Sequence, residues 1–214
     1  MSTATPTPQR RRVKKRILIP VILLGVLLLA FVWLYVRGTW ADSVAHNPQT
    51  AADGAITQLF RTPQGDVQVR CAIVIDAPAA KVWDVIRDYP NHPRFLPYVS
   101  AMQAKPEEGD RVHLTGTAHS RLWGDWHFAA HVDHKKVSDK EYVASWDEPG
   151  ETMTVNRGSW ALTALEPGKT LVVYALQAEP KDYPKFLVRN LLLSRLSSVL
   201  NGVRDEVKQR QAGT

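Results

Sequence analysis

Over residues 66–75 (DVQVRCAIVI) apolar and polar positions alternate, with Val67, Val69, Cys71, Ile73 and Ile75 on one side. A period of two predicts a half-buried strand. Asp76-Ala77-Pro78 ends it and opens a helix, since proline is tolerated in a first turn, where its missing N–H has no partner to lose. In that helix Val82, Val85, Ile86 and Tyr89 recur at helical spacing, with Trp83 beside them. The following stretch, DYPNHPRFLPYV, carries Pro90, Pro93 and Pro97 and is expected to be a short, irregular helical connector. From Ser100 to Gln177 the alternation returns. It is interrupted at Glu108-Gly109, near Arg121 to Gly124, at Ser138-Asp139, at Pro149-Gly150 and at Pro167-Gly168. That spacing predicts about six strands joined by short turns, an antiparallel meander. Beyond Pro180 and Pro184, Lys185 to about Gln209 reads as one long helix with Val188, Leu192, Leu196, Val199, Val203 and Val207 along one stripe. The expected fold class is α+β: a curved antiparallel sheet of about seven strands wrapped on the long C-terminal helix.

One segment has no period at all. Residues 17–36, ILIPVILLGVLLLAFVWLYV, are uncharged and mostly aliphatic. At roughly 1.5 Å per residue such a helix is about 30 Å long, the thickness of a bilayer's hydrocarbon core. Arg10, Arg11, Arg12, Lys14, Lys15 and Arg16 precede it, while Arg37 alone follows closely. The positive-inside rule then keeps the N-terminus in the cytoplasm and sends the rest across. A cleaved secretory signal is the competing reading, but its apolar core is usually shorter. The expected organisation is a basic tail over 1–16, a transmembrane helix over 17–36, a polar stalk over 37–55 and one folded domain over 56–214.

Charge changes meaning once this is seen. The net charge is +6, yet residues 1–37 hold seven of the 27 basic side chains and none of the 21 acidic ones. The remainder is near neutral, which gives no support to nucleic-acid binding. Cys71 is the one cysteine, so no intramolecular disulfide forms, and its place in a strand marks it as a small core residue.

The stretches VIDAPAAKVWDVIRDYPNHPRFLPYVS and SWALTALEPGKTLVVYALQAEP, and the helix opening YPKFLVRNLLL, resemble the START-like helix-grip superfamily. Within it the likeness is to the polyketide cyclase/dehydrase and coenzyme Q-binding branch, over residues 64–208. The resemblance implies a deep apolar cavity between the sheet and the long helix. It does not fix function, because that superfamily hosts carriers, cyclases, hydrolases and binding modules.

On the expected inner face lie Trp126, Phe128 and Val132 from one strand, Trp160 and Leu162 from another, and Val172, Tyr174 and Leu176 from the next; Trp146 is a further candidate. Large apolar bodies with a polar tip suit a wall that recognises an apolar ligand with few polar groups. Ordinary core packing would use the same residues. Phe95, Leu96 and Tyr98 in the connector, with Phe186, Leu192 and Leu196 on the long helix, are candidates for the cavity or its mouth. Phe95, Leu96 and residues 186–193 are expected to lie together at one end of the domain.

A hairpin turning near Leu122 sets His113 opposite His131, Thr117 opposite His127 and His119 near Asp125, all on the other face. Imidazoles with a carboxylate can bind zinc, but no tight ligand motif is present, and no metal or other cofactor is expected. Arg157, Asp147, Glu148 and Tyr174 are the titratable groups for catalysis, and nothing in the sequence pairs them. No phosphate-binding loop or nucleophile elbow appears.

The sequence therefore predicts a single-pass bacterial inner-membrane protein whose periplasmic domain binds a lipid or other hydrophobic small molecule. A cyclase/dehydrase-type enzyme and an envelope protein-interaction module are the alternatives. The sequence identifies no protein partner.

Overall fold

The structure is a computed structural model that describes residues 24–30, 54–62, 66–120, 124–150 and 152–213. The chain divides into two compact units, residues 1–37 and 38–214. In the first, residues 24–30 are helical, and Leu24, Val26, Leu27, Leu28 and Leu29 are exposed. The rest of the predicted transmembrane run, the basic tail and nearly all of the stalk lie outside the described residues. Among the described residues no helix is long and apolar enough to cross a membrane.

The second unit is α+β. Its strands are β1 (Ile56–Arg61), β2 (Val67–Ile75), β3 (Val99–Pro106), β4 (Arg111–Ser120), β5 (Gly124–Lys136), β6 (Glu141–Asp147), β7 (Met153–Glu166) and β8 (Lys169–Pro180). The helices are α1 (Ala79–Ile86), α2 (His92–Phe95), which follows a 3-10 turn over Tyr89–Asn91, and α3 (Lys185–Ala212). All eight strands form one antiparallel sheet in the order β1-β2-β8-β7-β6-β5-β4-β3.

The six strands expected between Ser100 and Gln177 are β3 to β8, and their turns fall at the sequence breaks. Gly109 and Gly168, at two of them, adopt positive φ, which a side chain would resist. The count of seven is corrected to eight by β1, which pairs with β2. Of ITQLFR only Leu59 is fully buried, so this edge strand has no apolar alternation to betray it.

Cross-strand partners share a face. The register therefore puts Val69, Cys71 and Ile73 with Leu176, Tyr174 and Val172, and these with Gly158, Trp160 and Leu162. It continues through Trp146, Ala144 and Tyr142 on β6. This inner face is the core: Ile73, Leu162, Val172 and Ala144 are sealed from solvent.

Helix α3 packs on β1, β2, β8 and α1 through Val188, Leu196, Leu200, Val203 and Val207. Leu200, absent from the expected stripe, is fully buried, while Leu192 and Val199 are only half-buried. The inner face of β3 to β7 receives no comparable cover from α3. α1 covers part of it: Trp83 packs on Tyr142 and edge-on against His134.

The connector is tied to α3 by polar links. Arg210 bridges Asp88 (2.6 Å) and Glu206 (2.8 Å), and Arg94 also reaches Glu206 (3.4 Å). Where the two cross, a β-carbon on Gly202 would collide with the carbonyl of Phe95, so only glycine admits the approach.

Candidate functional site

The uncovered part of the inner face is aromatic. Trp146 lies across Gly158 and Phe128 across Gly116; a β-carbon at either glycine would occupy the volume of the ring above it. Both rings thus occupy the space that a side chain at the facing glycine would take. The indole N–H of Trp146 donates to Asn156 Oδ1 at 3.1 Å. Tyr174 stacks on Trp160 (centroids 4.1 Å apart, 22° between planes) and faces Trp146 at 6.2 Å.

Tyr174 keeps some accessible surface, yet burial pushes its phenol well above the ordinary range. The ring packs against the core with part of its surface left open on the inner face. Its hydroxyl makes no hydrogen bond with any described residue. Cys71, opposite it on β2, is sealed, accepts a hydrogen bond from the Thr57 hydroxyl (3.1 Å) and is pushed up to about 11 by burial; it is inert core.

The sheet opens at one end of this face. β6 pairs with β5 only from Asp133 to Lys136, so among the described residues the first half of β5 has no strand partner on that side. Side chains substitute: the Thr152 hydroxyl donates to His127 O, and the Asn156 amide to Ala129 O. A hollow of about 430 Å³ lies at this gap, lined from the inner face by Met102, Gly116 and Phe128 and from the outer face by Thr117, His127 and Ala129, among others. Trp126, at the start of β5, meets Tyr183 edge-on at 6.2 Å.

The predicted site residues separate into three groups. Trp126, Phe128, Trp146 and Tyr174 share the inner face and stay half-buried there. Leu96, Trp160 and Leu196 lie in the packed core, at 7%, 6% and 2% exposure. Phe95 and Leu192 are half-buried against that core, Tyr98 is exposed, and Phe186 is half-buried at the start of α3.

The expected common mouth is corrected. Arg94, Phe95 and Tyr98 meet α3 at Glu206, Gly202 and Arg195, beyond residues 186–193. The physical reason is Gly202, the point of α3 that lets the connector backbone pass. Tyr98 sits there at φ 73, unusual for a non-glycine, with its ring under Arg195 (4.8 Å) and its hydroxyl accepting from Arg195.

The outer-face histidines pair as expected: His113 stacks on His131 at 4.6 Å, Thr117 bonds His127 (3.0 Å) and His119 bonds Asp125. His131 lies between Glu148 (2.7 Å) and Glu107 (3.3 Å), and its backbone and ring hydrogen bonds hold the Glu148 carboxyl below its usual range. Among the described residues no group of three or more such side chains is arranged to hold a metal ion. Arg157 bonds Asp147 (2.8 Å) and Asp66 (3.1 Å), so the acid–base candidates Arg157, Asp147 and Glu148 belong to outer-face networks. Tyr174 is on the opposite face and cannot act with them.

Two buried histidines were missed by sequence reasoning. His134 Nδ1–H donates to Asp110 O (2.8 Å), which leaves Nε2 to accept from the Tyr89 hydroxyl (2.6 Å). His92 Nε2–H donates to Ile86 O (2.9 Å), and its Nδ1 is buried without a partner. Burial pushes His92 down to about 4 and lowers His134 as well. Both are neutral clamps of the connector. The available signal was His134 falling in phase with Trp126 and Val132 on an apolar face.

Residues 66–208 match the family described as polyketide cyclase / dehydrase and lipid transport. Comparison with curated protein sequences gives no match. Among solved structures the fold is similar to human StAR-related lipid transfer protein 5, with a TM-score of 0.66 at 13% identity over 89% of this chain and 97% of that one. It is also similar to a STAR-related lipid transfer protein from Xanthomonas axonopodis, at 0.63 and 18% over 78% and 98%. The Zhui aromatase/cyclase of a Streptomyces strain gives 0.58 and 14% over 67% and 94%. At these identities the likeness is one of fold.

Proposed function

The chain belongs to the polyketide cyclase/dehydrase and lipid transport family, and from that premise we propose that it binds a lipid or other hydrophobic small molecule in the groove between sheet and α3. One observation carries the reading: Trp126, Phe128, Trp146 and Tyr174 keep open surface on an inner face that α3 covers only over β1, β2 and β8. Apolar surface left uncovered inside a concavity gains free energy by taking a ligand. At roughly 25 cal/mol per Å², an apolar tail that buries about 300 Å² gains about 7.5 kcal/mol gross. Association costs reduce this, and the remainder suits reversible carriage.

The length and apolar character of the run over 17–36 support a position beside a membrane, in our reading the bacterial inner membrane with the domain on the periplasmic side. Transport or presentation of a membrane-derived compound follows from that position. A cyclase-type activity has the family description behind it, but among the described residues no acid and base are paired on the inner face, where the Tyr174 hydroxyl makes no hydrogen bond and His134 is held by Tyr89.

The test is native mass spectrometry of the full chain purified from membranes, followed by solvent extraction. Recovery of one class of hydrophobic compound near one equivalent per chain is expected. No extractable compound, together with no change in tryptophan emission on adding brominated lipid, overturns the reading.

A further inference from the structure

The inward side of α3 carries two charged residues, Glu206, which is paired with Arg210 and Arg94, and Arg189. Arg189 precedes Val207 by about five turns at 3.6 residues per turn, so both lie on the same line of the helix. Leu196 and Leu200 flank that line, and both are buried. Arg189 therefore points to the sheet side of α3. It is half-buried, and its Nε is closed off from solvent with no hydrogen-bond partner.

The other arginines of α3 are each engaged: Arg195 with Tyr98, Arg204 with Asp205, Arg210 with Asp88 and Glu206. Lys185, one turn before Arg189, is paired with Glu179 at 2.6 Å. Among the described residues Arg189 has no ion pair and no hydrogen bond. A guanidinium cannot shed its charge, so partial burial without a counter-ion is unfavourable. Its planar fork fits two oxygens of one oxyanion. Leu192 and Leu193, both half-buried against the core, lie within a turn of it and lead toward the apolar interior.

We propose that Arg189 is the head-group contact of the groove, and that the ligand is an amphiphile with a single oxyanion head, carboxylate or phosphate, whose apolar tail lies on the Trp126–Phe128–Trp146–Tyr174 floor. This rests on the hydrophobic-ligand reading above and narrows it to an anionic class. It also explains why a charged residue stands on an apolar stripe.

The experiment uses the full chain in phosphatidylcholine nanodiscs, with energy transfer from tryptophan to a dansyl-labelled long-chain carboxylate. The matching dansyl-labelled alcohol and monoalkyl phosphate are the comparison probes. Wild type should bind carboxylate or phosphate at least tenfold more tightly than alcohol, and the tighter of the two identifies the head. Arg189→Gln should weaken the anionic probe about tenfold and leave the alcohol unchanged, with Arg189→Lys between, since charge is kept and the fork is lost. Partition into the nanodisc is the same for every variant and cancels. Equal binding of acid and alcohol by wild type, or equal loss of both in Arg189→Lys at unchanged melting temperature, overturns the proposal. Failure of all three probes with wild type removes the hydrophobic-ligand reading itself, a result distinct from loss of charge preference.

Discussion

At the scale of single residues, burial decides which aromatic side chains support the fold and which keep open surface on the inner face. Trp160 is 6% exposed and stacked on Tyr174, so Trp160→Ala should cost about 3–5 kcal/mol in chemical denaturation. Trp146 keeps open surface and one hydrogen bond to Asn156, so Trp146→Ala should cost less, about 1–2 kcal/mol, while reducing uptake of a fluorescent lipid. Equal stability losses without any change in uptake would make Trp146 ordinary packing. The neutral histidines give a pH dependence of definite sign. His92 titrates near 6.5 when unfolded and is pushed down to about 4 when folded. Below 6.5 the unfolded chain takes a proton that the folded chain refuses. Stability is therefore full above 6.5 and declines as pH falls toward 4, by about 3 kcal/mol for this one group; His134 shifts the same way. Urea midpoints at pH 7 and 4.5 measure the loss, and His92→Gln should flatten it. A slope unchanged in that variant would assign the effect to other groups.

The elements explain where the protein is stiff and where it opens. The connector is pinned to the C-terminal half of α3 by Asp88–Arg210–Glu206 and by the passage over Gly202, whereas the start of α3 has few such ties. Glu206 is 4% exposed, so Arg210→Ala leaves a buried carboxylate with only the long contact from Arg94. Because Arg210 itself is 37% exposed, the expected cost is discounted to about 2–3 kcal/mol. Hydrogen exchange should then rise in Tyr89–Asn91 and in α2 before it rises in β2 or β8. Uniform loss of protection across the sheet would show that the connector and the core unfold together. The hairpin β4–β5 was legible in the sequence to the exact pairing, because alternation fixes which face each residue joins and the turn fixes the register.

For the whole molecule, the apolar run and the groove belong to one functional reading. In the topology we propose, six basic residues before the run and one just after would set the C-terminus outside the cytoplasm. Alkaline phosphatase fused after Thr214 should be active, and a fluorescent protein at the same point should be dark. The reverse result would remove the periplasmic placement while leaving the groove untouched. On that proposal the domain would sample a high local concentration of its ligand source, so modest affinity would suffice.

The sequence by itself determined the alternation of β2 to β8, the amphipathic helices, the broken connector and the inward set of aromatics, because side-chain period and proline chemistry are local properties. It also determined which superfamily the chain resembles, and the match over residues 66–208 agrees. Only the tertiary structure decided the rest. β1 is set by its pairing along the edge of β2, since ITQLFR has no apolar alternation of its own. The connector meets α3 at residues 195–206 because Gly202 alone permits the crossing. His92 and His134 became neutral clamps, and Arg189 a cation with no partner among the described residues, through burial and partner placement. Those depend on elements far apart in the chain, and no window of sequence contains them.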